Sequence, residues 1–599
     1  MKLEHITVFG SGVLGAQIAF QTAFHGYTVV LYDIADDLLA KANEKFDQFG
    51  KIYQQDMNAS VADIEATLAR ITYTTDLARS VADADLTIEA IPENIQLKKD
   101  FYMKLGKLAP EKTIFCTNSS TLLPSQFAAE TGRPAKFLAL HFANQIWKYN
   151  TAEIMGHPGT DPAVFETVVE FAKSIGMVPI MVKKETPGYV LNSMLTPFLN
   201  AGMQLWTKGI ADPQTIDKTW MLGTGSPIGP MAFYDIIGIT TPYNIYKLQV
   251  EHGKQEDQAV LDKLKTDFID QNKLGLSTGE GFYTYPNPAY QKPDFLKAPP
   301  ADLSKVSIKK VVVAGSGVLG YQIAVQTAFH GFDVTVYDIN DEVLNKAKGK
   351  FTALTDAYKH DLNATWQQLD ATATRLSYSS DLADALNDAD LLIEAVPETL
   401  AIKQDFWEKA SAAAPAKTIF VSNSSTLLPS QLAPFTNRPE HFINLHFANH
   451  IHIRNTAEIM GHAATDPAVY EQIVEFAKAI GMMPIELHKE QSGYVLDSLL
   501  IPLLISGMGL WASDVADPAT IDKTWMIATG ALFGPMAILD KNGMNTNYNV
   551  VKAIPGELTQ HIAEKMKTEL IDKGKLGEVS GEGFYTYPNP AYEQNDFLK

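Results

Sequence analysis

The hydrophobic positions of this chain follow a strand-and-helix rhythm, switch to an all-helical one, and then begin again. From Met1 to about Lys183, short apolar runs alternate with segments whose apolar residues recur at helical spacing. HITVFG, TVVLYD, DLTIEAI, TIFCTNS, FLALHF and MVPIMV are short and rich in β-branched residues, which predicts buried strands. The intervening segments, such as Gly12 to His25 and Asn94 to Leu108, predict helices. A βαβ series of this kind predicts a mostly parallel sheet covered on both faces. After Thr186-Pro187-Gly188 the texture changes. From Tyr189 to about Lys273 the apolar faces are long and helical, which predicts a small helical domain finishing at the tail GEGFYTYPNP.

The whole pattern then repeats. GSGVLGAQIAFQTAFHG (Gly10 to Gly26) returns as GSGVLGYQIAVQTAFHG (Gly315 to Gly331), an offset of 315 − 10 = 305 residues. HFANQIWKYNTAEIMGH (His141 to His157) returns as HFANHIHIRNTAEIMGH (His446 to His462). Copy one ends YPNPAYQKPDFLK and the chain ends YPNPAYEQNDFLK, so APPADLSKV between the copies reads as a short, fairly stiff, exposed linker. The expected plan is a cofactor domain at 1–183, a helical domain at 184–297, a linker at 298–306, a second cofactor domain at 307–488 and a second helical domain at 489–599. The fold class is α/β: a Rossmann-type doubly wound sheet plus an all-helical C-terminal domain, the pair occurring twice.

Bulk properties narrow the function. A hydrophobic content of 46% with 20% charged residues is ordinary for a globular chain. No apolar run approaches the roughly 20 residues needed to cross a bilayer, and MKLEHITVFG runs straight into a strand without a charged-then-apolar leader. A cytoplasmic location without membrane attachment is expected. The net charge of −20 argues against a nucleic-acid groove and against anionic lipid surfaces. The single cysteine, Cys116, has Val421 as its counterpart, which excludes a disulfide framework and a thiolate metal site.

Gly10, Gly12 and Gly15 stand after a strand and at the opening of a helix. That context allows a tight turn, backbone approach to a pyrophosphate and close helix–strand packing, with the helix N-terminus facing the phosphates. Asp33 follows 23 residues after Gly10, at the end of the next strand, where a carboxylate accepts from ribose hydroxyls and repels a 2′-phosphate. No Arg or Lys follows it, so NAD is expected rather than its phosphorylated form. Copy two carries Gly315, Gly317, Gly320 and Asp338. FAD uses the same fingerprint.

Hydride chemistry needs a proton partner, and histidine has a suitable pKa. Of 14 histidines, His141 closes the strand FLALHF, at the sheet edge where open α/β folds bind ligands. Glu153 follows 12 residues later, a spacing that suits a turn back into a neighbouring strand and brings carboxylate to imidazole. In TNSSTLLPS, one of Ser119 and Ser120 suits a helix cap and the other a hydroxyl facing the substrate oxygen.

The glycine fingerprint, EAIPEN-x3-K, N-S-S, L-H-F-x-N, the His-to-Glu spacing and PGY-x2-N together resemble the L-3-hydroxyacyl-CoA dehydrogenase family, over nearly the whole chain and twice. The resemblance implies NAD-dependent interconversion of a 3-hydroxyacyl-CoA and a 3-ketoacyl-CoA, and pairing through the helical domain. It implies His141 as base, Glu153 as its acid, Ser120 and Asn192 at the substrate oxygen, and Asn144 after the base. Glu93 and Lys98 match a pair near the nicotinamide ribose, with a surface ion pair as the plainer reading. In copy two the counterparts are His446, Glu458, Ser425, Asn449, Glu398 and Lys403. An acyl-CoA partner is expected, along with an internal pseudo-dimer or self-association through the helical domains.

Departures from the family pattern are informative. Ala143 and Gln145 stand where the family has Phe and Pro, and Ser193 where it has Arg. These positions put the acyl pocket in question, and Trp147 and Tyr149 either reshape that pocket or pack beside it. In copy two Asn192 becomes Asp497, a group that only accepts when ionised. It should raise the pKa of His446, so copy two is expected to bind NAD but to be slow or to take a different substrate. His450 and His452 form a His-rich tract, read as exposed or weakly packed side chains rather than a metal site. The alternatives are an NAD enzyme for a small hydroxy acid or sugar acid without CoA, and a non-catalytic NAD-binding homologue.

Overall fold

A computed structural model describes residues 3–599. Two eight-stranded sheets dominate it. The first comprises β1 (His5–Phe9), β2 (Thr28–Tyr32), β3 (Ile71–Thr74), β4 (Leu86–Glu89), β5 (Ile114–Thr117), β6 (Phe137–Phe142), β7 (Thr151–Met155) and β8 (Val178–Val182). Their order is β3-β2-β1-β4-β5-β6-β7-β8. All neighbours run parallel except β6 and β7. The order reverses direction between the neighbours β1 and β4, and open α/β sheets bind ligands in that crevice. The second sheet repeats the plan with β9 (Lys310–Ala314), β10 (Asp333–Tyr337), β11 (Leu376–Ser379), β12 (Leu391–Glu394), β13 (Ile419–Ser422), β14 (Phe442–Phe447), β15 (Thr456–Met460) and β16 (Met483–Leu487). The pattern of apolar runs missed β3 and β11, whose alternating polar residues ITYT and LSYS place them at sheet edges.

Helices cover the sheet for reasons visible in their spacing. In helix Asp36–Asp56 the buried residues Leu39, Ala42, Phe46, Phe49 and Tyr53 recur every three or four positions and form one apolar stripe. That stripe packs on helix Val13–Phe24, where Phe20 meets Phe46, Phe49 and Tyr53. Side-chain caps begin many helices: Asn94 accepts from Leu97 N, Asp161 from Ala163 N, and Asp212 from Gln214 and Thr215 N. Among the described residues no helix is long and apolar enough to cross a membrane.

The chain divides into two compact units, and neither is one repeat. One unit comprises residues 1–197 and 502–599, the other residues 198–501. Both boundaries fall at a proline inside a helix, Pro197 in Leu191–Thr207 and Pro502 in Leu496–Ala512. In the first unit, helix Pro518–Thr529 packs against β7 and β8, Lys183 N donates to Val515 O (2.8 Å), and Lys183 pairs with Asp517. In the second, helix Pro213–Thr224 packs against β15 and β16, His488 N donates to Ile210 O (2.9 Å), and the Arg454 guanidinium donates to Gly223 O. The linker carries a single 3-10 turn, Leu303–Lys305. It is tied to helix Pro467–Ala479 through Asp302 N to Glu475 and Lys305 to Glu471.

Candidate active site

The antiparallel pair β6/β7 determines where the first site lies. His141 and Glu153 are register partners across it, as His446 and Glu458 are across β14/β15. Partners directly opposite one another point to the same face. Their side chains therefore meet, with His141 Nδ1 2.9 Å from Glu153 Oε2 and both groups buried. The other carboxylate oxygen, Oε1, accepts from Val190 N and Leu191 N (both 2.9 Å), at the start of helix Leu191–Thr207. The helix start thus holds the carboxylate in place through two backbone donors. Nδ1 then carries the proton that bonds Glu153, and the lone pair of Nε2 faces Ser120 Oγ at 3.2 Å. Copy two repeats the set: His446 to Glu458 at 2.9 Å, Ser425 Oγ to Nε2 at 3.1 Å, and Glu458 Oε1 accepting from Val495 and Leu496 N.

Ser119 takes the other role in its pair. Its hydroxyl donates to Glu93 Oε1 (2.6 Å) and accepts from Leu122 N. Glu93 also accepts from Thr121 N and Oγ1. Burial works against its charge. The bonds from Ser119 and Thr121 and the nearby Lys98 outweigh that and hold the carboxyl below its ordinary range. The surface-pair reading of Glu93 and Lys98 does not survive. Lys98 is 1% exposed, and its ammonium lies 2.5 Å from Glu89 but 3.5 Å from Glu93. Copy two buries Lys403 in the same way, against Glu394 at 2.5 Å and Glu398 at 3.2 Å. Glu89, which also accepts from Thr117 Oγ1 (2.8 Å), is a residue the sequence analysis missed. Its signal was the acid that ends the run of β4, the first residue of EAIPEN.

The glycine turn fits a dinucleotide. A Cβ on Gly15 would lie 2.0 Å from Gly10 O, and one on Gly10, at φ +93°, would lie 2.5 Å from Ala90 O. A Cβ on Gly12 would meet nothing within 4 Å, so the space over the helix start is open. Gly12 caps helix Val13–Phe24 without a side-chain bond, which leaves the first N–H groups available to phosphate oxygens. Asp33 Oδ2 accepts from Ser11 N and Oγ (both 2.7 Å), and Asp338 from Ser316 likewise. Ser11 and Ser316 were not singled out from the sequence, although each stands inside the Gly-x-Gly motif. They aim the carboxylate that follows the second strand.

The remaining positions sort differently. Asn144 and Asn449 are exposed in the turns after β6 and β14. Asn192 lies in the first turn of helix Leu191–Thr207, and Ser193 Oγ bonds back to Tyr189 O. Trp147 packs against Phe49 and Tyr53 and donates to Asp56 (3.1 Å), which makes it part of the core packing on helix Asp36–Asp56. Its counterpart His452 corrects the expectation for the His-rich tract. His452 is buried, stacked on Tyr358 and 2.7 Å from Asp361, and only His450 is exposed. Cys116 is buried, and burial pushes its thiol pKa up.

The two sites differ electrostatically. Burial alone would lower the pKa of His446. The hydrogen bond and charge of Glu458, with Asp497 and Glu398 adding, outweigh it and raise the imidazole above its usual value. Burial pushes Asp497 up to about 6, with the charge of His446 pulling it down and Glu458 pushing it up. Asn444 is a second change beneath this site, where copy one has Ala139, and its amide donates to Tyr494 OH (3.0 Å).

Comparison with known proteins places the chain among relatives. The family described as 3-hydroxyacyl-CoA dehydrogenase, NAD binding domain, matches residues 5–186 and 310–491. Its C-terminal domain matches 188–285 and 493–587. The human mitochondrial hydroxyacyl-coenzyme A dehydrogenase is 35% identical over 292 residues, 47% of this chain and 91% of that protein. A crystal structure of 3-hydroxybutyryl-CoA dehydrogenase from Escherichia coli covers 95% of this chain and 100% of its own at 17% identity, with a TM-score of 0.61. A solved diketoreductase, described as acting on dicarbonyl compounds, is 53% identical over 47% of this chain and 99% of its own, with a TM-score of 0.45. With the family's NAD-binding and C-terminal domains each present twice, the chain belongs to the 3-hydroxyacyl-CoA dehydrogenase family.

Proposed function

We propose that each half of the chain interconverts an L-3-hydroxyacyl-CoA and its 3-ketoacyl-CoA with NAD, with His141 and His446 as the bases. The observation that carries this reading is the Ser120–His141–Glu153 chain at the end of β6, in the same sheet as the open glycine turn after β1. Bound NAD supplies a hydride acceptor, held by the turn Gly10–Gly15 and by Asp33. The residues of the chain do the rest. Neutral Nε2 of His141 takes the proton of the substrate's C3 hydroxyl as the C3 hydride departs. Glu153 fixes the tautomer and stabilises the imidazolium that forms, because its charge is held on the other side by the Val190 and Leu191 N–H groups. Ser120 Oγ, within reach of Nε2, bonds the same substrate oxygen, and Asn192 offers an amide donor to it in the reverse direction.

Copy two is proposed to bind NAD but to run the reaction more slowly, or on a different substrate. Its Asp497, when ionised, offers no amide donor to the ketone oxygen, which slows reduction, and the raised pKa of His446 slows oxidation on the acid limb. Helix Pro518–Thr529 packs on β7 and β8, and helix Pro213–Thr224 of copy one on β15 and β16. This exchange supports an internal pseudo-dimer within one polypeptide. The test follows NADH oxidation with acetoacetyl-CoA in wild type, His141→Ala, His446→Ala and the double variant. Turnover is expected to fall most in His141→Ala and to vanish in the double variant. Equal losses from the two single variants would reject the difference between the copies. Turnover with free keto acids but not with the thioester would reject the substrate class.

A further inference from the structure

Tyr189 is the buried titratable group closest to His141 to which the proposed chemistry gives no role. Its ring lies flat on the imidazole, with centroids 4.7 Å apart and planes 12° apart. Its hydroxyl donates to Ser119 O at 2.7 Å, the carbonyl of the peptide that leads into Ser120. Copy two has the same arrangement at Tyr494, with 4.7 Å, 15°, and 2.8 Å to Ser424 O. Both tyrosines are fully buried.

The backbone here is unusual in a way that needs an explanation. Tyr189 has φ +54° and Tyr494 φ +49°, each directly after a glycine that is also left-handed. A bulky residue in that region is strained, and it persists only where surrounding contacts over-determine it. The next two residues, Val190 and Leu191, donate to Glu153 Oε1. One turn therefore covers the face of the base, holds the carboxylate behind it and pins the peptide before the substrate-facing serine. Burial, together with the charges of Glu153, Glu93, Glu89 and Glu185, keeps the phenol protonated, so its O–H stays available to donate to Ser119 O.

We infer that Tyr189 and Tyr494 are positioning residues of the dehydrogenase reaction: the ring face stabilises the imidazolium formed at His141 or His446, and the hydroxyl fixes the peptide that presents Ser120 or Ser425. The inference rests on the reading of His141 as the base. An aromatic face attracts a cation more than a neutral ring, so the stack favours the state reached after proton transfer. The groups facing His141 are Glu153 from β7, Ser120 from the loop after β5 and Tyr189 from the turn before helix Leu191–Thr207. The charged Glu93 lies behind Ser119.

Two substitutions separate the two roles, both made in a His446→Ala chain so that only the first site is read. Tyr189→Phe keeps the stack and loses the hydroxyl, so kcat should fall about three- to tenfold with the pH midpoint of kcat/KM unmoved. Tyr189→Leu loses both, so kcat should fall further and the midpoint should move about half to one unit lower. A residue that only filled the core would lower the melting temperature while leaving kcat per bound NADH and the pH midpoint as they were. Full turnover in Tyr189→Phe, or a Tyr189→Leu protein that binds NADH with an unmoved midpoint, would overturn the inference. Should Tyr189→Leu fail to fold, Tyr189→Phe still decides the hydroxyl's role. The control is His141→Ala in the same chain. Turnover surviving there would overturn the base assignment itself, whereas a dead control with unaltered tyrosine variants overturns only the tyrosine's part.

Discussion

Replacing Asp497 by Asn removes one negative charge beside His446 and keeps the shape of the side chain. The wild-type imidazole is desolvated, which disfavours its charge. Glu458, Asp497 and Glu398 face it, and together they raise its pKa. On the proposed mechanism, oxidation of the hydroxy substrate needs the neutral base, so every unit by which the pKa is raised costs up to tenfold in rate on the acid limb of the profile. A charge within a few ångströms moves a pKa by about one unit or more. Asp497→Asn, in a His141→Ala chain, is therefore expected to move the acid limb of kcat/KM for oxidation about one unit lower. At a fixed pH on that limb the rate should rise by up to about tenfold. The ketone-reducing direction uses the protonated imidazole, so its alkaline limb should move the same way and its rate there should fall. The reciprocal change, Asn192→Asp in a His446→Ala chain, should move the limb of copy one upward. A second consequence has the opposite pH sense from the usual paired carboxylate. Because burial lifts Asp497 from 3.8 to about 6, the penalty of ionising it sets in as pH rises through that window. The Asn variant should then gain stability over wild type at pH 7, by up to about 3 kcal/mol, and not at pH 4. The assays are NADH absorbance across pH 5 to 9 (roughly the range in which a perturbed imidazole titrates) and thermal unfolding at about pH 4 and about pH 7. An acid limb that stays in place, or moves upward, in Asp497→Asn would refute the electrostatic reasoning.

Two further outcomes follow from packing. Gly12→Ala introduces a methyl into open space, so the fold should keep its melting temperature while NADH titration falls from two sites per chain to one. Gly15→Ala, whose Cβ would sit 2.0 Å from Gly10 O, should lose both that site and stability. Equal stability of the two variants would contradict the geometry. Lys98→Met should destabilise the first cofactor domain by about 3–5 kcal/mol by leaving Glu89 buried without its cation. Adding Glu89→Gln should restore part of that loss in thermal unfolding, and a single variant as stable as wild type would show that the pair is dispensable.

Much of the architecture is legible in local pattern. The strands β1, β2, β4, β5, β6 and β8 are short apolar runs, and apolar periodicity is a property of neighbouring residues. The glycine turn was also legible, because the clash that excludes a side chain at Gly15 arises from the turn five residues before it. The pairing of His141 with Glu153 was suggested by a 12-residue spacing. The antiparallel register of β6 on β7, which makes the two residues direct partners, is a feature of the sheet. The polar edge strands β3 and β11 were missed because a strand with one wet face looks like a loop.

What the sequence determined by itself was the duplication, the βαβ series with its helical tail, and the candidates of the glycine turn and of the His141, Glu153 and Ser120 set, since all of these are written in residues close along the chain or copied whole. Tertiary structure alone decided which half's helices lie against which sheet, that Lys98 is a buried partner of Glu89, that His452 is clamped on Tyr358, and that Tyr189 covers the imidazole. Each of these joins segments tens to hundreds of residues apart, and desolvation, stacking and charge pairing act through space rather than along the chain.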